Sequence, residues 1–382
     1  MKSVLFFIES LDGGGAEGAL EGLIRNLDPE KWKITVVSET DGEMRVPFMK
    51  EHTKYHPFIH KNFSNNPVRE LINRIILTGS VRLPPSVVRK LYLRGKHNVE
   101  VAACEGYSTK IIASSTDKKS VKIAYIHTDF SCNHWSVEAY KDADEERSCY
   151  EKLDYIICVS ESIRDAFVAT YGMREKTVVL YNIIDDRKIK AMSREEPSVP
   201  VSTMKKPVFV LAGSFLPVKG FDRFVRVAAK LRNDGLDFSA VIIGMGYERR
   251  QIEDLIAENS LEEVISLYEY QKNPYAIFKN ADAFVCSSHA EGYSTVVSEA
   301  VILGKPVITT RCSGMEEIFG DRECGIICDN NEDALYLAMK KVLENPELLK
   351  KYAAEAEKRS EFFNVETRTA AINEFYENAA NK

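Results

Sequence analysis

Long apolar runs are missing from this chain. No stretch of its 382 residues approaches the ~20 that a membrane-spanning helix needs, and the opening MKSVLFFIESLDGGG has too short an apolar core, and no small-residue cleavage pattern, for a secretory leader. These absences predict a cytoplasmic location. An excess of positive charge is missing as well: the formal net charge of -6 gives no reason to expect nucleic acid as a partner. Paired cysteines are also lacking. Eight are scattered along the chain, several inside apolar runs as free buried thiols are, and the one tight pair, Cys324 and Cys328, has no second pair to complete a zinc site. Cys132 and His134 lie close in sequence without a carboxylate–histidine framework around them, and Pro57 breaks any helix that would align His52, His56 and His60. No metal site is predicted, and no cofactor.

What is present is a folded-protein composition, 45% hydrophobic and 28% charged, in a chain too long for one ordinary core. Two domains are expected. Apolar strand-like runs recur: SVLFFIE, KITVVSE, VEVAAC, KIAYIHT, YIICVS and TVVLYN, then PVFVLAG, SAVIIG, VISLYEY, AFVCSS and KPVITT. Amphipathic helices separate them, with Ala16, Ala19, Leu20, Leu23, Ile24 and Leu27 on one face and Phe221, Phe224, Val225, Ala228 and Leu231 on another. Continuous apolar strands alternating with helices predict an α/β protein of two Rossmann-like parallel-sheet domains. The seam falls in the polar, pattern-poor DDRKIKAMSREEPSVPVSTMKK. We therefore divide the chain into residues 1–184, residues 185–363 and a terminal helix, 364–382, that packs back on the first domain.

The pentapeptide EGYST occurs twice, at 105–109 and 291–295. In the later copy, HAEGYSTVVSEAVILGKPVITT, Ser294 is placed to cap a helix that Gly304 and Pro306 end. Such a helix start after a parallel strand is where open α/β sheets hold phosphate. Glu291 precedes the helix and Glu299 lies in its second turn; paired carboxylates accept hydrogen bonds from vicinal hydroxyls of a ribose or hexose.

EGYSTVVSEA resembles the Glu-x7-Glu motif of family 4 glycosyltransferases of GT-B fold, and the resemblance runs through most of the chain. It takes in GGAE (14–17), IAYIHTD (123–129), VSESIRDAF (159–167), YNIID (181–185), KGFD (219–222), IGMG (243–246), NPYAIFKNADAFVCSS (273–288), and GKPVITT with SGMEE (304–317). It implies two domains facing an interdomain cleft, the first for an acceptor and the second for a nucleotide-diphosphate sugar, with transfer that retains anomeric configuration and needs no metal. It also assigns residues. Glu299 would bind the ribose hydroxyls, Glu291 would lie beside the donor sugar, and Lys219 would neutralise the diphosphate as charge grows on the leaving group. His127 matches the histidine that reaches the donor from the acceptor domain; Gly14 and Gly15 match backbone that approaches sugar and diphosphate, with Glu17 following on the acceptor side. Gly244 in IGMG and the turn residues Gly292, Tyr293, Ser294 and Thr295 complete the donor set, with Tyr270 and Gln271 as contacts for a base that the resemblance makes uridine rather than guanosine.

One position departs from the family. Where it writes Gly-Arg-Leu, this chain has Gly213, Ser214 and Phe215, so a hydroxyl replaces a guanidinium. That keeps open a second reading, a member that binds nucleotide-sugar or a partner without transfer. A third reading, an NAD-dependent oxidoreductase, rests on GGGAEG at 13–18, which satisfies G-x-G-x-x-G literally, but ESLD separates those glycines from the strand.

The first EGYST has Ala113 where the second has Glu299, so it is not expected to grip a ribose; Glu105 and Tyr107 are read as acceptor-side lining, and the repeat as chance plus shared turn chemistry. Between residues 61 and 98, Lys61, Arg69, Arg74, Arg82, Arg89, Lys90, Arg94 and Lys96 face Glu70 alone, interleaved with Leu71, Ile75, Ile76, Leu91 and Leu93. Such a basic amphipathic stretch predicts adhesion to anionic lipid on the inner face of the plasma membrane and a lipid-linked saccharide acceptor. Altogether the expected activity is that of a hexosyltransferase in surface polysaccharide biosynthesis.

Overall fold

The computed structural model describes residues 1–42, 44–59 and 67–381; the side chains of residues 67–70, 72, 77, 80 and 81 lie outside that description. The chain divides into two compact units, residues 1–183 with the stretch from Glu366 onward, and residues 184–365.

The first unit is built on a parallel sheet. Its strands, in chain order, are β1 (Lys2–Ile8), β2 (Trp32–Thr40), β3 (Lys54–Ile59), β4 (Val99–Ala102), β5 (Val121–Ile126), β6 (Tyr155–Cys158) and β7 (Thr177–Val179). They lie side by side as β3-β2-β1-β4-β5-β6-β7. β1 sits at the centre because Val4 to Ile8 are apolar without interruption and are covered on both faces; Val4 pairs with Ile34 on one side and Val99 on the other. The edge strand β3, KYHPFI, escapes the apolar-run criterion because it carries charge and a proline, which only an edge position tolerates. His56 therefore lies in a strand, and His60 lies outside the described residues.

The second unit repeats the plan with β8 (Val208–Ser214), β9 (Ser239–Met245), β10 (Ile265–Tyr268), β11 (Ala283–Cys286), β12 (Val307–Thr310) and β13 (Gly325–Cys328), ordered β10-β9-β8-β11-β12-β13 and again parallel. The helix Phe221–Asn233 lays Phe221, Phe224, Val225, Ala228 and Leu231 on this sheet, as the periodicity predicts, and all five are buried. β13, GIIC, begins at Gly325 and runs straight into Asp329, so no extended apolar run marks it in sequence.

The polar stretch after YNIID is not a bare linker. Asp185 caps a helix, Asp186–Met192, by accepting from the Lys188 amide, and that helix packs on Thr295–Ile302 and Tyr275–Asn280. Its shortness hides any apolar face from a sequence reading. At the other end, the helix Val365–Ala379 ties its later turns to the first unit: Asn373 Nδ2 donates to the Asn26 carbonyl at 2.9 Å, and buried Tyr376 packs edge-on to Trp32.

Both sheets have the same switch in strand order. The order in which strands are added reverses between β1 and β4 in one and between β8 and β11 in the other, so the loops leaving the carboxyl ends of those strands diverge and leave a crevice. Lys219 and Glu291 follow β8 and β11, and Gly14, Gly15 and Glu105 follow β1 and β4.

Candidate functional site

In the second unit, Lys219 and Glu291 are brought together from loops that follow β8 and β11. Lys219 Nζ donates to both carboxylate oxygens of Glu291, at 2.8 and 2.9 Å, and the Ser288 hydroxyl donates to Glu291 Oε1 at 2.7 Å. Burial works against the ammonium, but the charge and hydrogen bonds of Glu291 outweigh it and the Lys219 pKa is raised. Lys219 is held in place by the residue after it. Gly220 sits at φ +61, where a Cβ would lie 2.2 Å from the Ser287 carbonyl oxygen, so the loop comes this close to its neighbour only without a side chain.

Eight residues beyond Glu291, Glu299 lies on the helix Thr295–Ile302 and accepts from the Tyr275 hydroxyl at 3.1 Å. Burial pushes its pKa up to about 7, against the lowering effect of the Tyr275 bond. The Lys188 charge lowers it too, but not enough to offset the burial, and hydroxyl donors from a ligand would relieve a carboxylate desolvated to this degree. Gly292, Tyr293 and Ser294 are buried at the helix start. Ser294 occupies the capping position, but its side chain makes no capping bond and its hydroxyl is buried without a partner, contrary to the sequence expectation. Its ψ of 111° sets the residue outside the helix while the hydroxyl misses the amides.

Other donor candidates fare differently. Ser214 ends β8 opposite Met245, close in sequence to the Lys219 loop. Gly244 is needed for strand packing, since a Cβ there would meet the Gly213 carbonyl oxygen at 1.9 Å. Tyr270 is about half exposed, whereas Gln271 is engaged by the Ser198 hydroxyl at 2.7 Å.

In the first unit, His127 follows β5. Its Nε2–H donates to the Ala103 carbonyl at 2.9 Å, which places a proton on Nε2 and leaves Nδ1 as the nitrogen not engaged in that bond. Its amide donates to Glu105 Oε2 at 3.0 Å. Glu105 also receives the Thr128 hydroxyl and, at 3.2 Å, the Trp135 indole N–H, and it is 1% exposed. The Glu105 carboxylate thus joins the turns after β4 and β5 rather than facing outward as a lining residue. Gly14 and Gly15 open the helix Gly15–Asn26, and Glu17 in its first turn accepts from the Ser10 hydroxyl at 2.9 Å. With β1 ending at Ile8, the glycines stand away from the strand end, unlike a dinucleotide fingerprint. His134 is committed to Glu146 and Tyr171, each at 3.2 Å.

Sequence reasoning missed Glu9 and Trp135. Glu9 leaves the end of β1 and accepts from the Ser108 amide at 3.2 Å; burial, with Glu39 and Glu105 adding to it, raises its pKa to about 7 despite amide hydrogen bonds. The signal available was position alone, a carboxylate immediately after a central parallel strand.

Two parallel-sheet Rossmann-like domains, each with its polar cluster at the switch in strand order, define the GT-B class of fold. Comparison with known proteins gives the family. Residues 13–188 match the model of Glycosyltransferase Family 4 and residues 192–359 that of Glycosyl transferases group 1, so the chain belongs to the glycosyltransferases of GT-B fold. Over 377 residues, 95% of this chain and 96% of the relative, it is 25% identical to the Campylobacter jejuni N-acetylgalactosamine-N,N'-diacetylbacillosaminyl-diphospho-undecaprenol 4-alpha-N-acetylgalactosaminyltransferase. It is 26% identical to the lipopolysaccharide core biosynthesis glycosyltransferase LpsD of Rhizobium meliloti, over 56% of this chain and 60% of that one. Anabaena HepE, crystallised with UDP-glucose, superposes with a TM-score of 0.76 at 18% identity, covering 99% of this chain and 100% of HepE.

Proposed function

We propose that the protein transfers a hexosyl residue from a nucleotide-diphosphate sugar, a UDP-sugar by preference, to a saccharide or lipid-linked saccharide acceptor, with retention of configuration. The observation that carries this is the grouping in the second unit: an ammonium held by Glu291, and a desolvated carboxylate, Glu299, on the helix that follows. In this reading the diphosphate takes the Lys219 ammonium from Glu291, Glu299 accepts both ribose hydroxyls, and Glu291 turns to the donor sugar. Negative charge grows on the diphosphate as the glycosidic bond breaks, so a preplaced cation and the amides that open the helix at Thr295 favour the transition state over the ground state. Lys219 supplies that charge without a metal. His127, through Nδ1, and the Gly14–Gly15 backbone act from the first unit. The relatives support the substrate classes: one is named for a diphospho-undecaprenol acceptor, and HepE was crystallised with UDP-glucose.

Peripheral adhesion to an anionic membrane belongs to the same proposal, with one revision. No helix among the described residues is long and apolar enough to cross a membrane. The helix Pro67–Arg82 exposes Leu71 and Ile75 beside Arg74, and the next helix, Pro85–Tyr92, exposes Leu91. Arg89, however, is paired through Nε at 3.0 Å with the fully buried Glu100, so it holds the fold and is not available to lipid. Lys61 lies outside the described residues, as do the side chains of Arg69 and Glu70.

The reading is tested by thermal shift against UDP-, GDP- and ADP-sugars, followed by NMR of the product anomer. Stabilisation by a UDP-sugar and a retained configuration are expected; inversion, or no preference among donors, contradicts it. Because Ser214 replaces a cation, binding without any turnover would favour the second reading, a nucleotide-sugar-binding member that does not transfer.

A further inference from the structure

Tryptophan occurs twice in this chain, and the two have opposite surroundings: Trp32 is 3% exposed inside the first unit, whereas Trp135 is 42% exposed. A single exposed aromatic needs no explanation by itself. What sets Trp135 apart is how firmly it is held. Its indole N–H donates to Glu105 Oε1 at 3.2 Å and to the Thr128 hydroxyl at 3.1 Å. The residues on either side of it, His134 and Ser136, both bond Oε1 of buried Glu146, at 3.2 and 3.0 Å. Ordering an exposed side chain with this many bonds is worthwhile when the ring has a partner to meet, because a preset face spares the ligand that cost.

The neighbours of the ring say what that partner is. Gly106 lies under the far edge of the indole at φ +83, and a Cβ there would come within 3.3 Å of the ring and 3.6 Å of Glu9 Oε1. The far edge of the indole and the Glu9 carboxyl group thus lie close to one another beside Gly106, at the carboxyl ends of β1 and β4, where the strand order switches. Hexopyranoses match this pairing: one face offers C–H groups to a π-surface while the hydroxyl edge donates to a carboxylate. Glu9 already accepts from the Ser108 amide, and a carboxyl group has lone pairs for further donors.

We infer that Trp135 and Glu9 form a platform for the acceptor's sugar ring, stacked on the indole with a hydroxyl on Glu9. The inference rests on the glycosyltransferase reading and deepens it by giving the acceptor a subsite on the first unit.

W135A and W135F in the full chain test it. W135A should raise the acceptor KM roughly tenfold, in the range of an interfacial aromatic anchor, with UDP-sugar affinity by calorimetry unchanged, and W135F should recover most of the loss. Independently of turnover, the emission of the exposed tryptophan should shift saturably with at least one methyl glycoside of glucose, galactose or their 2-acetamido forms, and W135F should abolish that response. An unchanged acceptor KM in W135A of normal melting temperature overturns the inference, as does emission indifferent to every glycoside. A protein that transfers nothing would defeat the enzymatic reading alone, since the emission titration still decides the platform.

Discussion

The two copies of EGYST occupy the same topological place, each after the strand just past the switch in its sheet, yet they fold differently. In the first, the helix opens at Tyr107, with Gly106 before it at φ +83; in the second it opens at Thr295, two letters later, after Ser294. The glutamates diverge as well. Glu105 spends its carboxylate on the backbone and side chains of its own unit, while Glu291 holds the Lys219 ammonium. Eight residues on, one helix has buried Ala113 and the other Glu299. The expected shared turn chemistry is therefore absent. Five identical residues do not determine a turn; the side chains from neighbouring strands that meet them do.

That contrast yields predictions for each copy. The largest effect belongs to Lys219: K219A should lower kcat/KM by roughly a thousandfold, on the order of losing one preplaced transition-state donor, and steady-state kinetics reads it. E105A should act on stability instead, costing about 3 kcal/mol as buried donors lose their acceptor; denaturant unfolding should show this while calorimetry finds UDP-sugar affinity retained. If E105A abolished donor affinity in a folded protein, the two copies would be functionally alike.

Glu299 gives a smaller, pH-dependent effect. Its raised pKa means the folded protein holds a proton there between about 4.5 and 7 that the unfolded chain releases. The stability from that proton is complete below about 4.5 and lost as the pH rises through 7. Donor binding should run the opposite way, strengthening as the carboxylate ionises, so UDP-sugar affinity should rise between pH 6 and 8, and E299Q should flatten the profile by calorimetry. In the absence of donor, E299Q should also melt higher than wild type at pH 8, by roughly 1–3 °C. The smallest change is expected from S214R, which places a guanidinium where the family has one: donor affinity should improve roughly threefold, and an unchanged value would mean that position does not meet the diphosphate.

Much of this was legible in the sequence because it depends on local pattern. Continuous apolar runs announce the central strands, and the spacing of Phe221, Phe224, Val225, Ala228 and Leu231 announces their covering helix. Lys219, Glu291 and Glu299 are readable as candidates too, since KGFD and EGYSTVVSEA resemble family motifs, and the structure pairs the first two. What could not be read depends on contacts between distant segments. β3 is masked by Pro57 and its charges, and β13 by the Gly325 and Asp329 that bound it. Ser294 has the right identity for a cap but not the geometry. Arg89 looked like part of a basic face until Glu100, a charged residue in a buried strand, claimed it. Glu9 and Trp135 acquire meaning only when β1, β4 and β5 lie side by side.

Calorimetric titration of UDP-glucose, or whichever UDP-sugar stabilises the protein most, into the wild type, K219A and E299A tests the central claim most directly. Saturable binding by the wild type, weakened at least tenfold in each variant, is predicted; equal affinity in all three folded proteins would contradict it.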